Sequence, residues 1–328
     1  MPAAADARNL FTLVRKGIDA RAVHVHVRKP FRFLLCGDPA LIAEFRALLL
    51  SGHDETVPAQ AAACLETIRP DDSLVTNPKE VRAVIFLGRP GDVAGAQFEP
   101  LSILRVPILA ITVDPLAQPS GPNAPPAAGA WSEYVVPAIA RESLRGRVFP
   151  HLVECAAGVE IAVGRHLPVL RETVAAKLTR DAANNALKVA LASAVVDHIP
   201  LVGIVLGAFA SAGDMVAITG IQVMLMLHIE AAYGRDPDVQ HTWKLLPVIG
   251  GGFGWRTLAR ELVGFVPVAG IAIKGAIAYA GTIVVGEGVT FYYEHGRYMT
   301  KSQASTLYER AKADAMRFGR DFIAKLKR

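Results

Sequence analysis

The sequence predicts a two-part protein: an α/β domain built on a parallel sheet, then an all-α helical region that is unusually apolar. Three observations carry this. Short, continuously apolar runs alternate with helical periodicity through the first part of the chain. From Ser143 onward the strand punctuation disappears. Hydrophobic residues make up 52% of the sequence against 20% charged, more apolar than an ordinary soluble domain. With 328 residues, there is length enough for two hydrophobic cores.

Leu10, Leu13, Val14 and Ile18 recur at helical spacing and predict a short amphipathic helix over Asn9 to Asp19. The run AVHVHVRKPFRFLLCG alternates and then becomes continuously apolar, which gives a strand from Phe31 to Cys36. If AVHVHV is extended as well, His24 and His26 share one side; with no third ligand near, they read as surface or edge histidines and no metal site is predicted. Gly37 turns the chain, and Ala40 to Leu50 follows as a helix with Leu41, Phe45, Leu48 and Leu49 on one face. Ala83 to Leu87 (AVIFL) and Val106 to Val113 (VPILAITV) are buried strands, rich in β-branched residues as central parallel strands are. Glu99 to Leu104 supplies the crossover helix between them, and Glu133 to Val136 is a weaker strand. Pro115 to Ala130 is a loop, because its prolines and glycines prevent regular structure.

Charge and cysteine usage exclude some classes. The net charge is +5, and no concentrated basic stripe appears before the last turns, which argues against a nucleic-acid partner. The opening MPAAADARNLF carries Asp6 and Arg8 and has no apolar core, so no secretory leader is expected. Cys36, Cys64 and Cys155 have neither zinc nor redox spacing and read as reduced, partly buried thiols of a cytoplasm-facing protein.

The stretch FLLCGDPALIAEF places a strand, a glycine and a helix where a nucleotide-binding domain keeps its phosphate loop. That loop, G-x-x-x-x-G-K-[ST], needs amides facing the phosphates, a Lys on the terminal oxygens and a hydroxyl on Mg²⁺. Gly37 matches the first glycine, but Ile42, Ala43 and Glu44 stand at the second glycine, the Lys and the hydroxyl. Pro39 removes an amide donor, and Asp38 and Glu44 put negative charge at the positive end of the helix. The strand ending AITVD supplies Asp114 at the acid of a guanine-reading [NT]-K-x-D, with Thr112 and Ile111 at its Lys and Asn/Thr positions; no D-x-x-G lies between Gly52 and Glu80. With these residues the region from Asn9 to Ile139 resembles a degenerate Era-like GTPase domain. The resemblance implies a vestigial nucleotide site at Gly37, Asp38 and Asp114, with no catalysis and no cofactor.

The second part carries two Gly- and Ala-rich blocks. IPLVGIVLGAFASAG from Ile199 and VPVAGIAIKGAIAYAG from Val266 align Pro200 with Pro267 and Gly203 with Gly270, as a repeated P-x-x-G break and small-residue helix. Asp214 interrupts the first block and Lys274 the second. A Lys at the bilayer centre costs roughly 2.5–3.5 kcal/mol, while each Ile, Val or Phe returns about 0.3–0.6. Phe265, Val266, Val268, Ile271, Ile273, Ile277 and Ile283 therefore roughly cancel Lys274, and insertion is marginal. The blocks fit a dry bundle core or a hairpin dipping into one leaflet equally well. If both are buried, Asp214 and Lys274 should pair.

AGDMVAITGIQVMLMLHIEAAYG, with Asp214, Gln222 to Ile229, Tyr233 and Gly234, and the later GFVPVAGIAIKGAIAYAGT, resemble the YcjF-type domain of unknown function over Ala186 to Arg297. That domain often follows Era-like GTPases, is commonly predicted to be membrane-associated and has no settled activity, so the resemblance implies a context and not a reaction. Asp197-His198 reads as a capping or interfacial pair for want of a nucleophile. IGGGFGWRTLAREL, Ile249 to Leu262, reads as a hinge, since no strand precedes it. The tail puts Leu307, Ala311, Ala315, Phe318, Phe322 and Leu326 on one face of a basic amphipathic helix, suited either to an anionic membrane or to its own bundle.

The expected organisation is therefore an N-terminal helix and linker over 1–30, an α/β domain over 31–145 and a helical domain over 146–328. The expected function is that of a non-catalytic pseudo-GTPase on the cytoplasmic side of a membrane, peripheral or hairpin-inserted, acting on partners or on its own copies through the helical domain. Two alternatives stand beside it: an NTP-binding protein with a noncanonical site, and a soluble lipid-binding helical carrier.

Overall fold

In the computed structural model, residues 20–54, 56–69, 78–95, 98–196, 203–240, 242 and 267–326 are described. The expected helix over Asn9 to Asp19, Asp197-His198 and the IGGGFGWRTLAREL segment lie outside them. The chain divides into two compact units: His24–Lys177 with Ala232–Gly234, and Leu178–Ala231 with Arg235–Arg328 and the residues up to Val23.

The first unit is α/β. Its strands are β1 (Arg32–Gly37), β2 (Leu65–Thr67), β3 (Val81–Gly88), β4 (Ile108–Val113) and β5 (Trp131–Val136). Among the described residues they form one sheet in the order β2-β1-β3-β4-β5, parallel throughout. β1, β3 and β4 are buried almost end to end, because helices cover both faces. On one face Leu34, Cys36, Val84, Phe86, Ile108 and Ala110 form a core with Val93, Phe98 and Leu101. By alternation the other face presents Phe33, Leu35, Ile85, Leu87, Leu109 and Ile111. Helix α2 (Pro39–Leu50) follows β1 and buries Leu41, Ile42, Phe45 and Leu49.

Several elements differ from the sequence reading. AVHVHV is helical, in α1 (Ala20–Val27), so His24 and His26 are about 200° apart around the axis and do not share a side. β4 begins at Ile108, two residues late, since Pro107 has no N–H to pair and offers only its carbonyl, to Val84 N. After α3 (Ala59–Ala63) and α4 (Asp92–Gly95), the crossover helix α5 shrinks to one turn, Glu99–Ser102. β2 was not anticipated; it pairs Phe33 with Leu65, and Arg32 of β1 bridges Glu66 at 2.8 Å and Glu80 at 3.2 Å.

The sheet's unit runs on to Lys177. Helices α6 (Arg141–Arg145), α7 (Val148–Cys155) and α8 (Glu160–His166) belong to it. The fastening is visible in α7, where buried His151 meets the hydroxyl of buried Tyr134 from β5 at 2.9 Å.

The second unit is helical. It holds α9 (Arg171–Val196) from Leu178 on, α10 (Gly203–Ala232) up to Ala231, α11 (Pro267–His295) and α12 (Lys301–Leu326). Ala186 and Ala190 of α9 meet Ala278 of α11, with Ile218 and Ile221 of α10 against them. Small residues permit this approach: Gly286 of α11 lies directly on Thr179 of α9. A capping box starts α12, with Gln303 N donating to Thr300 Oγ1 and Thr300 N donating to Gln303 Oε1. Ala304, Tyr308 and Ala311 of α12 are buried against Ala280 and Val284 of α11, so over this stretch its apolar face is spent within the unit. Among the described residues, no helix is long and apolar enough to cross a membrane. Asp214 and Lys274 fall on α10 and α11, with side chains outside the described residues.

Candidate functional site

In a doubly wound sheet of this order, ligands bind outside the carboxyl ends of the strands, where the order reverses. Here that point lies between β1, followed by β2 on one side, and β3 on the other. Gly37 ends β1 opposite Leu87 of β3, and Gly88 ends β3 opposite Thr112 of β4.

The connection from β1 to α2 is a single residue, Asp38. Its geometry accounts for every amide that an anion could use. Asp38 N–H donates to Leu87 O at 2.8 Å, and Pro39 has no N–H. Ala40 N–H and Leu41 N–H donate to the Asp38 carboxylate at 2.7 and 3.2 Å, and Ile42 N–H donates to Asp38 O at 2.9 Å. Asp38 is thus the N-cap of α2, and its carboxylate sits where a phosphate would. The amides of Leu41 and Ala40 hold its carboxyl below the usual carboxylate range, with help from Arg89.

Gly37 is required by contact. Its φ is +111°, and a Cβ there would overlap the Leu87 carbonyl. The neighbouring turn after β3 closes in the same way: Arg89 N–H donates to Asp92 Oδ2 at 2.6 Å, and Arg89 Nε lies 3.5 Å from Asp38 Oδ2. Arg89 is mostly exposed, so this pair adds little stability, but it places the site's cation on the carboxylate already there.

The guanine-reading positions are occupied with other tasks. Asp114 N–H donates to Val136 O at 2.9 Å, while its Oδ1 accepts from Leu116 N–H at 3.0 Å, an Asx turn that opens the proline-rich loop. Thr112 Oγ1 donates to Glu133 Oε1, and Ile111 is fully buried. β3 separates β1 from β4, so Asp38 and Asp114 share an edge of the sheet about 10 Å apart. The structure brings Gly37, Asp38 and Arg89 together and leaves Asp114 apart. Sequence reasoning missed Arg89 and Asp92; the only signal was the R-P-G-D turn after AVIFL.

Among the described residues, no group of three or more His, Cys, Asp and Glu side chains could hold a metal ion. Burial pushes the Cys36 and Cys155 thiols up to about 12 and Cys64 to about 11, away from nucleophilic use. No protein-family model, curated protein or solved structure matches the chain.

Proposed function

We propose that this chain is a non-catalytic scaffold, a pseudo-GTPase in which a doubly wound frame is kept without a phosphate site. The observation that carries the reading is the closed turn at Asp38, where each amide from Asp38 to Ile42 is engaged or absent. A triphosphate entering there would have to displace a carboxylate that two amides and an arginine already hold. The resemblance to an Era-like domain followed by a YcjF-type helical domain rests on the residues quoted above and supplies the context. In it the helical unit does the contacting, on a protein partner or a second copy, at the cytoplasmic face of a membrane as a peripheral protein. The apolar composition of the whole chain supports that setting.

The test is calorimetric titration of the full chain with GTP, GDP and ATP in the presence of Mg²⁺, together with flotation on vesicles. No saturable binding below millimolar nucleotide, with flotation, is expected. Micromolar affinity abolished by Asp114→Ala would overturn the reading in favour of a noncanonical NTP site. A chain that stays monomeric and never floats would remove the membrane part.

A further inference from the structure

The first unit holds a cavity of about 550 Å³ at the opposite end of the sheet, beside the amino terminus of β1. It lies between the α1–β1 linker, α3 and the carboxyl end of α8, and its volume suits a small organic ligand. Its chemistry is cationic. Arg28, Lys29, Arg32 and Arg165 line it, against the single carboxylate of Glu80. Arg32 is neutralised by Glu66 and Glu80, with one negative charge to spare. Arg28 and Lys29 are not: among the described residues neither has a carboxylate partner, and Lys29 Nζ donates to a carbonyl, Gly158 O, at 3.1 Å. The carboxyl ends of α1 and α8 offset about one charge between them, half a charge each. With Arg165 counted, these groups leave an excess of about one positive charge, over a wall of Val27, Pro30, Phe31 and Ala63 interrupted by the polar Gln60, where Phe31 lies 6.2 Å from the His166 ring.

We propose that this cavity binds a phosphomonoester carrying a compact apolar or aromatic body, with Arg28 and Lys29 on the phosphate. The site is independent of the carboxyl-end turn, and its existence does not depend on the scaffold reading. The same headgroup chemistry occurs on a soluble ester and on a phosphatidate lipid, and the test separates the two sources.

The full chain is titrated calorimetrically with phenyl phosphate, inorganic phosphate and phenol, and floated on phosphatidylcholine vesicles with and without phosphatidate. Three variants accompany it: Arg28→Gln/Lys29→Gln, which removes the charge; Ala63→Trp, which fills the exposed mouth without touching a charge; and Arg89→Gln, a control at the other end of the sheet. The expected result is saturable binding of phenyl phosphate, or phosphatidate-dependent flotation, weakened about tenfold or more by the first two variants and unchanged in the third. Phenol binds far more weakly, and added salt weakens the phosphate ligands. Soluble binding alone identifies a free ester, and flotation alone identifies a lipid headgroup. The proposal is overturned if neither form binds, if phenol binds as well as its phosphate, or if binding survives both cavity variants.

Discussion

Replacing Gly37 with alanine tests whether backbone contact between β1 and β3 fixes the turn that closes the phosphate position. At φ +111°, a residue with a side chain carries strain of about 1–3 kcal/mol. The new Cβ would also fall inside the contact distance of Leu87 O and 2.9 Å from Leu87 C, backbone atoms with no rotamer to yield. Relief requires the ends of β1 and β3 to part, which breaks the Asp38 N–H bond to Leu87 O, a further loss of about 0.5–1.5 kcal/mol. Together the substitution should destabilise the first unit by roughly 2–4 kcal/mol. With a urea slope of about 3 kcal/mol per molar, the midpoint falls by about 1 M. The assay is urea denaturation followed by far-UV circular dichroism, with amide exchange read on β1 and β3. A midpoint within about 0.2 M of the unaltered chain would show that the strands do not constrain this glycine, and the account of the turn would fail.

Three other outcomes are expected. In the helical unit, a Cβ at Gly286 would overlap Thr179 Oγ1, stand 2.5 Å from its Cγ2 and 2.8 Å from its Cβ, so Gly286→Ala should cost about 1–3 kcal/mol; Thr179→Ala removes the first two contacts and leaves the third, so it should restore part of the loss, the buried Thr179 hydroxyl having no partner to lose, and a double variant as unstable as the single one by thermal denaturation would contradict this. Burial holds His151 and His166 below their ordinary values, so the folded chain keeps both neutral: stability is intact above about pH 6.5 and is lost as pH falls through the lower folded values. A denaturation midpoint that stays flat or rises from pH 7 to 5, or that falls as steeply in His151→Gln, counts against it. Cys36, Cys64 and Cys155 should resist iodoacetamide at pH 8 in the native chain and react promptly in urea; rapid native labelling of Cys36 would show that the sheet face opens.

What was legible in the sequence follows from burial. β1, β3 and β4 are covered on both faces, so they appear as unbroken apolar runs, and the glycine after β1 marks its end. β2 is three residues, Leu65–Thr67, with a single buried side chain; its place is set by pairing with β1 and by the Arg32–Glu66 bridge, neither of which has a local signature. α1 shows the reverse failure, since AVHVHV has the alternation and β-branching of a strand and is helical. At the site, Gly37, Asp38 and Asp114 could be found by comparing positions with a phosphate loop. Arg89 could not, because its contact with Asp38 joins residues far apart in sequence through the adjacency of β1 and β3.

The length of the β1–α2 connection separates two accounts of the missing phosphate site. Loss of the Lys and hydroxyl alone would leave a loop of open amides, a nest still able to hold an anion weakly. A connection of one residue leaves no nest: β1 ends at Gly37, α2 begins at Pro39, and the amides between and just beyond are spent on Leu87 O and on Asp38 itself. Substituting Asp38 with alanine would free only the amides of Ala40 and Leu41, with Pro39 still contributing none. No single substitution therefore rebuilds the cradle; several inserted residues would be needed first. Asp38→Ala should accordingly leave GTP titrations as flat as those of the unaltered chain, and a gain of micromolar affinity on that change would mean that the carboxylate alone, and not the length of the turn, keeps nucleotide out.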